Sequence, residues 1–163
     1  MTDEAIEVES AALAPATQYR MAVAELVRAM REEDDAITGD QIEEVWEHRH
    51  EFAGDLYMRT LVVPAGHFLV TKIHKVDHPY FVMEGEATIL TEDGPARMKA
   101  PFGGITRAGV QRVAYVHEQV TWTTVHFVGG ERDTKKIVET VTTEDPLDPE
   151  LLERDLLALG GER

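Results

Sequence analysis

The chain has 163 residues, enough for one domain that buries its own core without staples, and its 43% hydrophobic and 29% charged residues are ordinary for a soluble globular protein. With 31 acidic against 16 basic residues the formal charge is −15, which argues against nucleic-acid or anionic-membrane binding through a broad basic face. Cysteine is absent, so disulfides and thiolate chemistry are excluded and any metal must be held by nitrogen and oxygen.

Much of the acidic excess sits in Asp3–Glu9, Glu32–Asp35 and Glu144–Asp155, which read as solvated segments. No stretch approaches the roughly 20 apolar residues of a membrane span. The first residues lack the basic start of a signal peptide, so a cytoplasmic address is the default expectation.

In chain order, residues 1–16 show no period and are expected as a loose arm. Residues 17–44 form an N-terminal helical segment, with an apolar stripe through Met21, Ala24, Val27 and Met30. The acidic run Glu32–Asp35 opposes the helix dipole, so the helix is expected to fray near Arg31. Residues 45–141 read as a run of short strands, beginning near Val45 and turning at Ala53-Gly54-Asp55. Leu56–Val63 alternates Tyr57, Arg59, Leu61 and Val63 against Leu56, Met58, Thr60 and Val62. Phe68–Lys75 follows, then Tyr80–Met83 and Ala87–Leu90 on either side of Glu84-Gly85-Glu86, then Ala96–Ala100. Pro101–Gly104 reads as a bend, Gln111–His117 and Thr121–Val128 as two strands, and Thr134–Val141 as an edge strand. Residues 142–163 form an acidic tail whose Pro149–Leu159 is a short amphipathic helix. Strands at ~8–12-residue spacing predict an antiparallel sandwich or barrel. The aromatic residues Trp46, Tyr57, Phe68, Tyr80, Phe81, Phe102, Tyr115, Trp122 and Phe127 are expected in its core and wall, and His67 at its surface.

The densest polar run is Gly66–Gly85. Its spacing, Gly66-x5-Lys72-x-His74-x3-His78-x6-Gly85, resembles the first motif of the cupin superfamily, G-x5-H-x-H-x3,4-E-x6-G. Lys72 stands at the first histidine of that motif and His78 at its glutamate. The second motif resembles Arg107-Ala108-Gly109-x2-Arg112-x3-Val116, where Arg112 stands at the third histidine. Four further runs, Lys72–His78, Thr91–Gly94, Gly109–Arg112 and Trp122–His126, are similar to small cupin-like proteins of unassigned function encoded by bacteriophages and prophages. The resemblance implies a mainly β, cupin-type antiparallel barrel or jelly roll with an N-terminal helix and a short C-terminal helix. It also implies the cytoplasm of a bacterial host if the chain is phage-encoded.

On their own chemistry, Lys72 and His74 share a strand face, and His78 returns after a bend at Val76-Asp77. Two imidazoles brought together suit a divalent transition metal: Zn, Ni, Fe or Cu. A third ligand is needed, His126 first, with His117 or Glu118 as alternatives. Lys72 and Arg112, with Arg107, would instead or in addition make a site for a small anion. Lys75, facing away from His74, reads as a rim salt bridge. The threonines lack a base–orienter arrangement, so no catalytic residue is assigned.

Two functions follow. One is a cupin-like protein with a His74–His78–His126 metal site that binds or acts on a small anionic molecule through Lys72 and Arg112. The other is a metal-free, non-catalytic, phage-associated protein for assembly or small-molecule binding. Exposed strand edges lead us to expect a homodimer.

Overall fold

The computed structural model describes residues 13–39 and 41–160; the loose arm expected over residues 1–16 lies largely outside them. Helix α1 (Pro15–Met30) starts with a proline in its first turn and buries Thr17, Arg20 and Val23, one face at three-residue spacing. A short helix α2 (Gln41–Val45) leads into the strands. These are β1 (Glu47–Ala53), β2 (Leu56–Val63), β3 (Phe68–Val70), β4 (Ile73–His74), β5 (His78–Thr91), β6 (Gly94–Lys99), β7 (Phe102–Thr106) and β8 (Val113–Phe127). Helix α3 (Thr134–Val141), strand β9 (Thr142–Thr143) and helix α4 (Pro149–Gly160) complete the chain. No described helix is long and apolar enough to cross a membrane.

The protein is mainly β and every strand pair is antiparallel. Its main sheet has seven strands in the order β1-β2-β8-β5-β6, with β3 also on β8 and β7 also on β5. The long pair β5–β8 is the spine. Its register slips between Val82 and Ala87, and the ladder divides there into two halves. One half, Ala87–Leu90 with Val113–Val116, joins β3 and β6 around the apolar core of Trp46, Val63, Ala87, Ile89, Ala114, Val116 and Val120. The other, Tyr80–Val82 with Trp122–Thr124, joins β2, β1 and β7 and faces the histidines.

Gly85 permits the slip. Its φ is +88°, and a Cβ there would overlap the backbone carbonyls of Gln119 and Glu118, so only glycine lets the strands approach this closely. The turn expected at Glu84-Gly85-Glu86 is therefore a bulge inside one 14-residue strand, and the two strands expected over Gln111–Val128 are likewise one, of 15 residues. A bulge breaks the two-residue period locally, which makes one strand look like two.

Several further expectations change. Thr134–Val141 is a helix, because Asp133 accepts from the amides of Lys135 and Lys136 as its N-cap, and Ile137 and Val141 bury one face. The expected bend at Pro101–Gly104 runs into strand β7, paired along β5. The sheet is not closed into a barrel: β1 and β6 stand at the ends of its strand order. The outer face of charged strand β1 carries Glu47, Arg49 and Glu51, the kind of edge that resists further pairing. Of the aromatics expected inside, Phe68, Phe81, Phe102, Tyr115 and Phe127 are exposed. Phe81, opposite Thr123, alternates with inward-facing Tyr80 and Val82, so pleating turns it out.

α1 and α4 are joined by a buried ion pair. Arg20, fully buried, donates from Nη2 to Asp155 Oδ2 at 2.6 Å, and Thr17 Oγ1 donates to the same oxygen at 2.8 Å. Arg20 also reaches the carbonyls of Gly109 and Pro146, both at 3.4 Å. The helix pair thus holds the loop that enters β8. Removing one member leaves a buried charge unpaired, so Asp155→Ala should cost about 3–5 kcal/mol. Urea unfolding checks this; a loss below about 1 kcal/mol would mean the pair is not structural.

Candidate metal centre

His74, His78 and His126 come together on the inner face. Each offers one ring nitrogen, and those nitrogens lie within 4.8 Å of one another. The ring centroids are 4.4 Å apart for His74–His78 and 4.2 Å for His78–His126.

Three different elements deliver them. His74 ends the two-residue strand β4 and is pinned from both sides. Its amide donates to Val110 O and its carbonyl accepts from Gly109 N, while β9 places Thr142 opposite it. His78 opens β5, where it pairs with Thr106 of β7 and is followed at once by Pro79. Asp77 fixes the turn before it, accepting from Ala108 N and Arg107 Nη1, both at 2.8 Å, with Arg154 at 3.2 Å. Those bonds hold the Asp77 carboxyl below its usual range. His126 lies near the end of β8, opposite Tyr57 of β2, where alternation from Trp122 and Thr124 turns it inward.

The hydrogen bonding of the rings suits a ligand role. His78 Nδ1 faces the Val76 carbonyl at 3.1 Å and is therefore the protonated nitrogen, which leaves the Nε2 lone pair free. That Nε2, His74 Nδ1 and both nitrogens of His126 are buried with no hydrogen-bond partner among the described residues. Four orphaned imidazole nitrogens in one cluster are costly unless something polar or metallic meets them. Zinc–imidazole bonds of about 2.0–2.1 Å hold ligand nitrogens no more than about 4 Å apart, and nitrogens within 4.8 Å of one another are on the scale that a shared ion requires. The donor set is three neutral nitrogens, which fits Zn, Fe, Ni or Cu.

Burial also keeps the cluster neutral. It pushes the His74 imidazole down to about 2 and His126 to about 4, helped by the neighbouring histidines and by cations. His78 is lowered too, first by burial and then by Arg112, against the Val76 carbonyl.

Two guanidiniums flank the cluster. Arg112 is 8% exposed, donates to Thr106 Oγ1 at 2.9 Å, and lies 4.9 Å from the Tyr80 ring centroid and 5.6 Å from that of Trp122. Arg59 of β2, opposite Thr124, projects to the same face as Tyr57 and His126, and its Nε is buried without a partner. Arg59 is the residue the sequence reading passed over. Its signal was present, a lone cation on the inward set Tyr57, Arg59, Leu61 and Val63.

The remaining expected residues lie elsewhere. Lys72 is half exposed, with its Nζ 3.8 Å from Glu144. Arg107 is bound to Asp77, and Lys75 pairs with Glu150 at 3.4 Å. Of the alternative ligands, His117 meets Thr88 Oγ1 at 2.7 Å and Glu118 is exposed on the surface. His67 is partly buried rather than exposed, because its Nδ1 accepts the Trp46 indole N–H at 2.9 Å.

No family model matches the chain, and no curated protein matches it. Among solved structures it is similar to a cupin-2 domain protein from Shewanella frigidimarina, with TM-score 0.42 and 18% identity over 50% of this chain and 79% of that one. A cupin superfamily protein from Desulfitobacterium hafniense gives TM-score 0.44 and 10% identity, over 51% and 77%. Hydroxypropylphosphonic acid epoxidase from S. wedmorenis gives 0.41 and 14%, over 49% of each chain. These are distant, partial likenesses of fold, and they assign no role to any residue.

The lowered histidines have a consequence for stability. Between the ordinary histidine range near pH 6.5 and the folded values of about 4 and about 2, the unfolded chain binds protons that the folded one does not. Stability of the metal-free protein is therefore greatest above pH 6.5 and falls as pH drops, by about 1.4 kcal/mol per pH unit for each such histidine. Urea unfolding from pH 6.5 to 5, above the range of most carboxylates, should show this slope, and His126→Gln should reduce it. A flat profile would contradict the assignment.

Proposed function

We propose that this protein is a small cupin-type jelly roll whose histidines 74, 78 and 126 hold a divalent transition metal and which binds a small anionic molecule beside it. The observation that carries the reading is the convergence of buried, unpartnered imidazole nitrogens from three separate elements. The motif spacing from Gly66 to Gly85 supports it independently. The bent β5–β8 ladder, with half-sheets on both sides of the bend, supports the jelly-roll form. When bound, the metal would supply Lewis acidity or oxygen activation to the molecule beside it. The chain's own residues set the conditions. The Val76 carbonyl fixes the His78 tautomer, Tyr80 and Trp122 wall the site, and Arg112 offers a buried cation to an anion. Lys72, turned to Glu144, has no part in this reading.

Elemental analysis of untagged protein should find about one equivalent of Zn, Fe, Ni or Cu per chain. His126→Ala should lose most of it and His117→Ala should keep it. Equal retention by both variants, or no uptake by the parent protein on adding the four ions, would defeat the reading.

A second reading, a phage-associated assembly protein, rests on the likeness of four sequence runs and on one feature of the fold. The outer face of the site half-sheet exposes Phe81, Met83, Ile105 and Phe127. A patch of this kind suits an interface, and the expected homodimer would cover it. Light scattering should return twice the 18.3 kDa chain mass. A monomer mass at tens of micromolar would refute the dimer.

A further inference from the structure

Among the described residues, the strands of the site half-sheet turn no carboxylate to the face that carries the guanidiniums of Arg59 and Arg112. The acid that reaches its edge, Glu43 of α2, lies 3.7 Å from His50 rather than against either arginine. Arg112 is buried and Arg59 has a buried Nε, yet neither has an acidic oxygen within 4.0 Å among the described residues. The chain is not short of acids, with 31 of them. Seven other arginines pair with one: Arg20, Arg28, Arg31, Arg49, Arg97, Arg107 and Arg154. On β1, the strand beside β2, the register sends Glu47 and Glu51 to the opposite face and His48 and His50 to this one. Desolvated charge without a partner is among the most expensive features a fold can hold.

The placement of the two cations is specific. Arg59 sits on β2, one diagonal step from His126, since Tyr57 is opposite His126 and Arg59 opposite Thr124. Arg112 sits on the other flank, bonded to Thr106, which is itself the β7 partner of His78. Arg59, Thr124 and Tyr80 thus form one row across the sheet with Arg112 over Tyr80, and His126 and His78 lie in the next row, between Tyr57 and Thr106. A metal at the cluster would add further positive charge to a face that already has two uncompensated cations.

We propose that Arg59 and Arg112 form a two-sided clamp for a small dicarboxylate, each guanidinium taking one carboxylate while the middle of the molecule lies along Thr124 and Tyr80, beside the histidine cluster. Two cations on opposite flanks match two separated anionic ends better than one compact oxyanion. The planar fork of arginine gives each end a bidentate partner. Arg112 is pre-oriented for this by its bond to Thr106 and by the Tyr80 and Trp122 rings. The inference deepens the proposed function and rests on the histidine cluster being the site.

The test uses metal-free full-length protein at pH 7.5, titrated calorimetrically with malonate, succinate, glutarate, acetate and inorganic phosphate. The best dicarboxylate should bind about tenfold or more tighter than acetate or phosphate. Arg59→Gln and Arg112→Gln should each abolish that advantage, and Lys72→Gln should leave it intact. Arg112→Lys, which keeps the charge but loses the fork, should fall in between and guards against a folding defect in Arg112→Gln. A dicarboxylate no tighter than acetate, phosphate binding tightest, or an Arg59→Gln variant that binds like the parent would overturn the clamp. Metal content, measured separately, keeps the two ideas apart. Metal uptake without a dicarboxylate preference removes only the clamp. An arginine-dependent dicarboxylate preference in a protein that takes no metal retains the clamp and removes only the metal.

Discussion

The missing side chain at Gly85 is the constraint on which the rest depends. β2 and β3 both pair with β8, and β6 and β7 both pair with β5, so almost every strand hangs from the β5–β8 ladder. Where Gly85 meets Gln119 the ladder slips, and each long strand passes from an apolar half to a polar half. The apolar half gains its stability from ordinary burial of Ile89, Val116 and Val120. The polar half can then carry His78, His126 and Arg59 on its inner face, with His74 of β4 and Arg112 before β8 brought against it, because the core beside it does not need that surface.

The electrostatics of the site run in one direction. Burial disfavours the imidazolium form, and Arg59 and Arg112 disfavour it further, so the imidazoles remain neutral donors of lone pairs. Nothing in the cluster supplies negative charge. Asp77, the nearest acid in sequence, is already committed to Arg107, Arg154 and the Ala108 amide, and it serves to position the turn before His78. The fold thus spends its acids outside the site and leaves the inside electron-rich only at nitrogen.

The sequence made some of this legible and hid the rest for identifiable reasons. Glycine-to-glycine spacing singled out His74 and His78, because metal-ligand registers are short and local. Alternation through Trp122 and Thr124 put His126 on a consistent face. Local pattern could not show that β5 and β8 are single strands, since a bulge interrupts the very period used to find strands. Nor could it show the helix at Thr134–Val141, where one cap and one buried i, i+4 pair outweigh a β-favouring composition. Local pattern does not separate Lys72 from Arg59. Lys72 lies in the two-residue gap between β3 and β4, so it has no regular strand to aim it inward, while Arg59 is aimed by an uninterrupted eight-residue strand.

The aromatic wall of the site gives the protein a built-in optical readout. The chain has two tryptophans, and they touch the same apolar core from different sides. Trp122 stacks on Tyr80 at 4.9 Å beneath the Arg112 guanidinium, while Trp46 donates its indole proton to His67 and packs in the apolar core. Emission from Trp122 therefore follows the charge and contents of the site as well as the core it packs against, whereas emission from Trp46 follows the core alone. A change at Trp122 without one at Trp46 marks the site filling, and a change at both marks the core opening.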